Sequence, residues 1–436
     1  MDSTTAVENP PGRFQVAAHF LGLVCLQSAN ILLPLLYIPF VLRHIGPERF
    51  GLVTMVQVLM QYVGILADFG HPYSATRAVT LQRHVPEALR RTVWATMLGR
   101  AALIPCWLLL IGAIVICVPS FRDEWQAFAI GSLSAVGLAL MPNWYFQGMS
   151  QVRPLAIATV GSRILAFIGI LLFVRTEADY LTAIWLQSLA YIVASAIALA
   201  FVYPEIGGFV RPRMREAYEA MREGFPYLFA HAGEAFTRLA PTFALGFVAN
   251  NVAVSHFTMG EKIANATSLV MGWPLHQLVY PKACERASKS KRDAVAYLKV
   301  VLLLAFVGSF LVSSALYMLR EPLVTLIVGY NEPKTVAVLA ILAWFPLLRM
   351  IELVLGSQTM PALELGSVFV RLQAIACIAF IPFVTALSYW YGETGTAYAV
   401  LLLEFALIVA MIAILVRWRL AMADVVFQSR ENGFSS

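Results

Sequence analysis

Apolar residues in this chain come in long unbroken runs, separated by short polar stretches that are mostly rich in Arg, Lys, Gly and Pro. The runs lie near 15–42, 51–70, 92–117, 125–146, 154–174, 181–203, 225–248, 256–278, 294–319, 335–357, 370–391 and 396–416. A helix needs roughly 20 apolar residues to span a bilayer, and most of these runs are that long. The pattern predicts an all-α integral membrane protein with about 12 transmembrane helices. The first run has no A-x-A-like cleavage site and is expected to be retained.

The longest internal polar stretch, 204–224, divides the runs into two sets of six. Its segment RPRMREAYEAMREG alternates charge like a short interfacial helix. The expected organisation is a tail at 1–14, a six-helix lobe at 15–203, a linker at 204–224, a second lobe at 225–416 and a tail at 417–436. A shift of 207 aligns Pro34 with Pro241 and Tyr73 with Tyr280, but seven identities in 49 positions barely exceed what apolar composition gives. With alternating spans, nineteen Lys and Arg residues fall in the loops and tails of one side and six on the other. The positive-inside rule assigns the heavy side to the cytoplasm, with both termini there.

Composition agrees with the pattern. Of 436 residues 60% are hydrophobic and 13% charged, against about 25% charged in soluble domains. The net charge of +6 follows from topology, and no loop is long enough for a basic nucleic-acid module. Five cysteines form no CxxC pair, and seven scattered histidines, His256 among them, suggest no metal site. No GxSxG, P-loop or HExxH motif is present, so neither a cofactor nor a catalytic centre is expected.

Charges deep inside the runs are the candidate chemistry, because each costs a few kcal/mol on insertion scales. Glu234 and Arg238 are four apart in the seventh run and share a helix face. The pair fits two roles, helix packing and a cargo-facing cation oriented by its glutamate. Arg349 and Glu352, three apart in the tenth run, fit the same two roles. Glu261 and Lys262 are consecutive and point about 100° apart, so the spacing does not pair them. Lys262 sits one turn from the outer end, where lysine can snorkel to water. Arg100 and Arg163 have no acid at helical spacing, so another helix, water or cargo must supply their counter-charges. Glu404 is likewise alone in the last run and is a candidate for ion coupling, with Glu261. Five bases against five acids, Asp68 included, leave the sign of the interior open.

Two stretches carry a family resemblance. Residues 43–77, RHIGPERFGLVTMVQVLMQYVGILADFGHPYSATR, resemble the LGpeeyG…ADfGf…satR pattern of bacterial polysaccharide repeat-unit flippases of the Wzx type. Residues 142–151, PNWYFQGMSQ, are similar to that family's W-yfqG stretch. His71-Pro72 departs from the pattern, which has a bulkier apolar residue and no proline there. Gly46-Pro47 is a turn signal. Gly70 beside Pro72 should break the second span and present Asp68 and Arg77 at its inner mouth. Asn143, Trp144, Tyr145 and Gln147 suit a membrane interface or contact with a sugar.

The resemblance implies two six-helix lobes around a central cavity, in the superfamily shared by multidrug exporters and polysaccharide flippases. It implies a cargo of undecaprenyl-diphosphate-linked oligosaccharide, moved from the cytoplasmic to the periplasmic leaflet of a bacterial inner membrane for O-antigen or exopolysaccharide synthesis. It also implies contact with membrane lipids, a polysaccharide polymerase and chain-length proteins, and gives Arg100, Arg163 and Arg238 a diphosphate to bind. A cation-coupled multidrug exporter is the nearest alternative. A lipid II flippase usually has fourteen spans, and a membrane glycosyltransferase or polymerase would need a larger outer loop.

Overall fold

A computed structural model describes the backbone of residues 13–432 and the side chains of 36–228, 237–272, 275 and 279–418. Among the described residues the chain is helical and has no strand. The helices are α1 (Arg13–Asp68), α2 (His71–Gln82), α3 (Pro86–Cys117), α4 (Pro119–Arg122), α5 (Trp125–Leu140), α6 (Asn143–Gly148), α7 (Val152–Phe173) and α8 (Tyr180–Glu205). They continue as α9 (Met214–Val248), α10 (Asn251–Lys289), α11 (Lys291–Met318), α12 (Arg320–Val328), α13 (Pro333–Leu342), α14 (Phe345–Leu353), α15 (Met360–Ala362) and α16 (Gly366–Asn432). A π-helical stretch, Val354–Thr359, joins α14 to α15.

Two of these helices are each a pair of arms. Gly46 (φ 76°, ψ 167°) bends α1, and Gly392 (φ 60°, ψ −138°) bends α16. A positive φ is cheap only for glycine, so the Gly46-Pro47 signal and the first bend coincide. Among the described residues, with the arms separated and α5–α6 and α13–α15 each taken as one stretch, the backbone makes twelve long runs: 13–45, 47–68, 86–117, 125–148, 152–173, 180–205, 214–248, 251–289, 291–318, 333–362, 366–391 and 393–432. Among the described residues, eight helices are long and apolar enough to cross a membrane, with α16 counted once.

The expected short interfacial helix in RPRMREAYEAMREG is not separate. It is the beginning of α9, which runs unbroken from Met214 to Val248. At 1.5 Å per residue a helix of 35 residues is about 52 Å long, so its charged first turns extend beyond a hydrocarbon core of about 30 Å.

The chain divides into two compact units. Unit 1 contains the residues up to Gly46 and Val56–Ala232, and unit 2 contains Pro47–Met55 and everything from Gly233 onward. In unit 1, α8 packs along α5 and α7, α3 packs on α5, and α2 lies across α6. In unit 2, α10 is the central element and touches α11, α13, α14 and α16. The segment 47–55 belongs to unit 2 because glycine allows close approach. A Cβ on Gly51 would lie 1.7 Å from the Asn251 carbonyl oxygen, and one on Gly246 would lie 2.1 Å from Met55 Sδ.

Candidate functional site

In unit 1 the charged site lies where α1 ends. Asp68 is the last residue of α1, and Phe69 (φ 47°) and Gly70 (φ 76°) turn the chain into α2. The break at Gly70 thus lies where the Gly-His-Pro sequence placed it. The turn rests on α9: a Cβ on Gly70 would lie 2.2 Å from the Gly224 carbonyl oxygen, and one on Gly224 would lie 2.4 Å from that of Phe69. Arg100, on α3, donates from Nη2 to Asp68 Oδ1 at 2.7 Å and to the Leu138 carbonyl at 3.0 Å. Its counter-charge therefore comes from another helix, the first of the three sources open to it. The Arg100 side chain is fully buried and that of Asp68 is 24% exposed. His71 is buried beside them, and burial first, then the Arg100 charge, hold its pKa down to about 4. Arg77 points outward, exposed, one and a half turns further along α2.

The two stretches that carry the resemblance pack on one another. Thr76 Oγ1 donates to the Trp144 carbonyl at 3.2 Å, and Thr80 Oγ1 to that of Gly148 at 3.3 Å. Trp144, Tyr145 and Phe146 are buried, forming a core with Val79, Val93, Met97 and Val202. This corrects the interfacial reading of Trp144 and Tyr145: both side chains are buried in the core of unit 1. The chemistry that suits an interface, a large apolar body with one polar tip, suits a core equally.

Arg163 is half-buried on α7, and both it and Tyr191 act electrostatically on Tyr37. Gln57 Nε2 on α1 donates to Gln187 Oε1 on α8, one turn before Tyr191.

Unit 2 contains the other candidates. Arg238 and Lys262 are exposed; the Glu234 side chain, expected to pair with Arg238, lies outside the described residues. Glu261 accepts from Thr242 Oγ1 and Asn265 Nδ2, both at 3.3 Å. Both Arg238 and Lys262 act on it electrostatically. Lys262 therefore reaches its neighbour's charge although the two side chains leave the helix in different directions.

Arg349 is the hub of a second network. Its Nη1 lies 3.0 Å from Glu352 Oε2 and 3.5 Å from Glu404 Oε1, while Gln373 Nε2 donates to Glu352 Oε1 at 3.1 Å. The Arg349 side chain is 38% exposed, against 3% for Glu352 and 8% for Glu404. Glu404 is thus not alone. Its partner sits 55 positions away, where helical spacing cannot reveal it. The π-helical stretch begins two residues after Glu352 and widens the backbone there, a feature often found at functional sites. Among the described residues no group of three or more His, Cys, Asp or Glu is placed to hold a metal ion.

The chain resembles known proteins over nearly its whole length. A protein of Escherichia coli (strain K12) described as "Putative O-antigen transporter" is 26% identical over 409 residues, covering 93% of this chain and 97% of the relative. Among solved structures, an inward-facing multidrug resistance MATE family transporter of the MOP superfamily superposes with a TM-score of 0.65 at 12% identity, covering 93% of this chain and 98% of that one. The lipid II flippase MurJ, in an inward closed conformation, also gives 0.65, at 13% identity, covering 92% of this chain and 87% of its own. These likenesses establish the membrane fold. The profile of the family described as polysaccharide biosynthesis protein matches residues 16–284, more than half of the sequence, and the chain belongs to that family.

Proposed function

We propose that this protein is a flippase of the bacterial inner membrane. It moves undecaprenyl-diphosphate-linked oligosaccharide repeat units from the cytoplasmic to the periplasmic leaflet by alternating access, for O-antigen or exopolysaccharide assembly. The observation that carries this reading is an asymmetry of exposure among the intramembrane charges. Arg238, Lys262 and part of Arg349 are exposed, whereas Glu352 and Glu404 are buried. Equal numbers of acids and bases left the sign of the interior open; in unit 2 exposure favours the bases, whereas in unit 1 Arg100 is buried and Asp68 is partly exposed. Charges at membrane depth face water or cargo rather than lipid, so the most accessible of unit 2's intramembrane charges, Arg238 and Lys262, are cations suited to an anion.

A diphosphate is the anion that fits. Guanidinium forks match phosphate oxygens in bidentate fashion, and a diphosphate cannot cross hydrocarbon bare. Direction follows from charge. Moving one charge through 100 mV is worth about 2.3 kcal/mol, so about two negative charges driven outward gain roughly 5 kcal/mol. The similarity to a protein described as an O-antigen transporter supports the same cargo class. The Arg-rich loops place both termini in the cytoplasm under the positive-inside rule. Transport by repositioning helices needs no catalytic group, so the protein is read as a carrier and not an enzyme.

The test is made in cells of a strain lacking the protein. Arg238→Ala is expected to abolish surface polysaccharide and leave the lipid-linked repeat unit on the cytoplasmic side, while the protein still inserts. Arg213→Ala, on the polar stretch before α9, should be nearly silent. Equal export by both variants would reduce Arg238 to a packing residue. Export of organic cations in place of the lipid-linked unit would favour a multidrug exporter.

A further inference from the structure

We infer that the corner between α10 and α11 is a site for an anionic phospholipid with a hydroxyl-bearing headgroup, of the phosphatidylglycerol type. The corner is tight because one residue, Ser290, separates the two helices. Its Oγ caps α11 by accepting from the Asp293 backbone N–H at 3.2 Å. The last turn of α10 therefore returns against the second turn of α11. There the Arg286 guanidinium lies over the Tyr297 ring, 4.2 Å from its centre. Arg286, Asp293, Ala296, Tyr297 and Val300 line an open groove of about 590 Å³. The groove runs out onto an apolar face. Asp293, Ala296, Tyr297 and Val300 recur at helical spacing, and the same stripe continues through Leu304, Val307 and Leu311, which are 47–67% exposed. α11 is long and apolar enough to cross a membrane, and only 22% of its most apolar stretch is buried in the protein, so the stripe faces acyl chains.

Charge selects the headgroup. Glu285 is held by Lys289 at 2.9 Å, and Glu364 holds Lys291 at 3.0 Å. Along the turns that form the groove, this leaves three bases, Arg286, Arg292 and Lys299, against one acid, Asp293. A guanidinium lying over an aromatic face keeps its N–H edge free to fork onto phosphate oxygens. Lys299 is exposed on the flank of the stripe, three positions after Ala296 and four before Leu303. From there its stem lies along apolar surface while the ammonium reaches back to the headgroup. An ionised Asp293 only accepts hydrogen bonds, so it meets the hydroxyls of a glycerol headgroup and not the phosphate. Basic pockets between membrane helices on the cytoplasmic side suit such headgroups, and the positive-inside rule puts this corner in the cytoplasmic leaflet. The site does not depend on which cargo the protein carries.

The test is native mass spectrometry of the purified full-length protein in detergent. The protein is titrated with phosphatidylglycerol, or with phosphatidylethanolamine of the same acyl chains, and the affinity of the first retained lipid is read. Phosphatidylglycerol should be retained more tightly than phosphatidylethanolamine, which has the same phosphate but no net charge and no glycerol hydroxyl. Arg286→Ala should weaken its retention about tenfold, equivalent to losing one charge-assisted hydrogen bond. Arg215→Ala, which removes an exposed arginine of α9 paired with Glu219, should leave retention unchanged. If Arg286→Ala does not fold, Lys299→Ala serves as the second variant and should weaken retention in the same direction. Retention of phosphatidylethanolamine as tight as that of phosphatidylglycerol would overturn the inference. Equal affinities in Arg286→Ala and Arg215→Ala would do the same, as would displacement of the lipid by millimolar inorganic phosphate, which would make the corner a plain anion site.

Discussion

The two units handle their intramembrane charges in opposite ways. Unit 1 closes Arg100 against Asp68 and the Leu138 carbonyl, with its guanidinium fully buried. Unit 2 sets two buried carboxylates, Glu352 and Glu404, around one arginine that is 38% exposed. The first arrangement gives a buried cation its counter-charge through Nη2 alone and fixes the end of α1 against α3. The second leaves a cation accessible while its acids stay inside. A charge deep in a membrane helix is thus no single kind of evidence. Burial of the charged head differs between the two, although both look alike as letters in an apolar run.

The largest effect expected from this contrast is on stability. Removing one partner of a buried ion pair leaves the other charge uncompensated and costs about 3–5 kcal/mol. Arg100→Ala should therefore lose most folded protein, measured by thermal unfolding in detergent. Arg349→Ala should also destabilise, because it strands the buried Glu352 and Glu404 without a counter-charge, whereas Arg349→Lys keeps the charge and should fold, yet lose export because the planar fork is gone. If Arg349→Lys exports normally, the distinction between the units breaks.

Acid should also weaken unit 1 through His71. Its pKa is near 4 in the fold and about 6.5 in an unfolded chain. Between these values the unfolded chain takes up a proton that the folded chain refuses, so stability falls as pH drops from about 6.5 toward 4 and is fully present above that window. The shift corresponds to roughly 3 kcal/mol at the acid end. His71→Gln should flatten this part of a stability-versus-pH curve; an unchanged slope would mean that another group carries it.

A smaller and more local effect sharpens the account of the turn after Asp68. Gly70→Ala must accept a left-handed backbone and a Cβ 2.2 Å from the Gly224 carbonyl oxygen. A cost of about 1–3 kcal/mol is expected, as for other overpacked sites. Gly161→Ala, where nothing lies within 4 Å of the new carbon, should be neutral or stabilising by up to about 1 kcal/mol. Comparing the two melting temperatures checks both signs.

Much of the fold was legible because hydropathy and glycine are local signals. Twelve apolar runs became twelve long helical runs, and Gly46-Pro47 and Gly70 mark real bends. The pairing of Arg349 with Glu352 was also legible, three positions apart on one helix. The charges that pair across helices were not. Asp68 and Arg100 are 32 positions apart, Arg349 and Glu404 are 55, and only the packing of separate helices sets which faces meet. Trp144 and Tyr145 misled because aromatic residues with one polar atom belong to cores and interfaces alike.

The central claim, that exposed bases serve an anionic lipid-linked cargo, is tested most directly in proteoliposomes. A labelled polyprenyl-diphosphate oligosaccharide is placed in one leaflet, and its appearance in the other is followed while an inside-negative potential is imposed. The unaltered protein should move the label. Arg238→Ala and Arg163→Lys should lose most of that movement, since lysine keeps the charge without the planar fork, and Arg213→Ala should retain it. Undiminished movement in Arg238→Ala and Arg163→Lys, or movement of organic cations with none of the lipid, would contradict the claim.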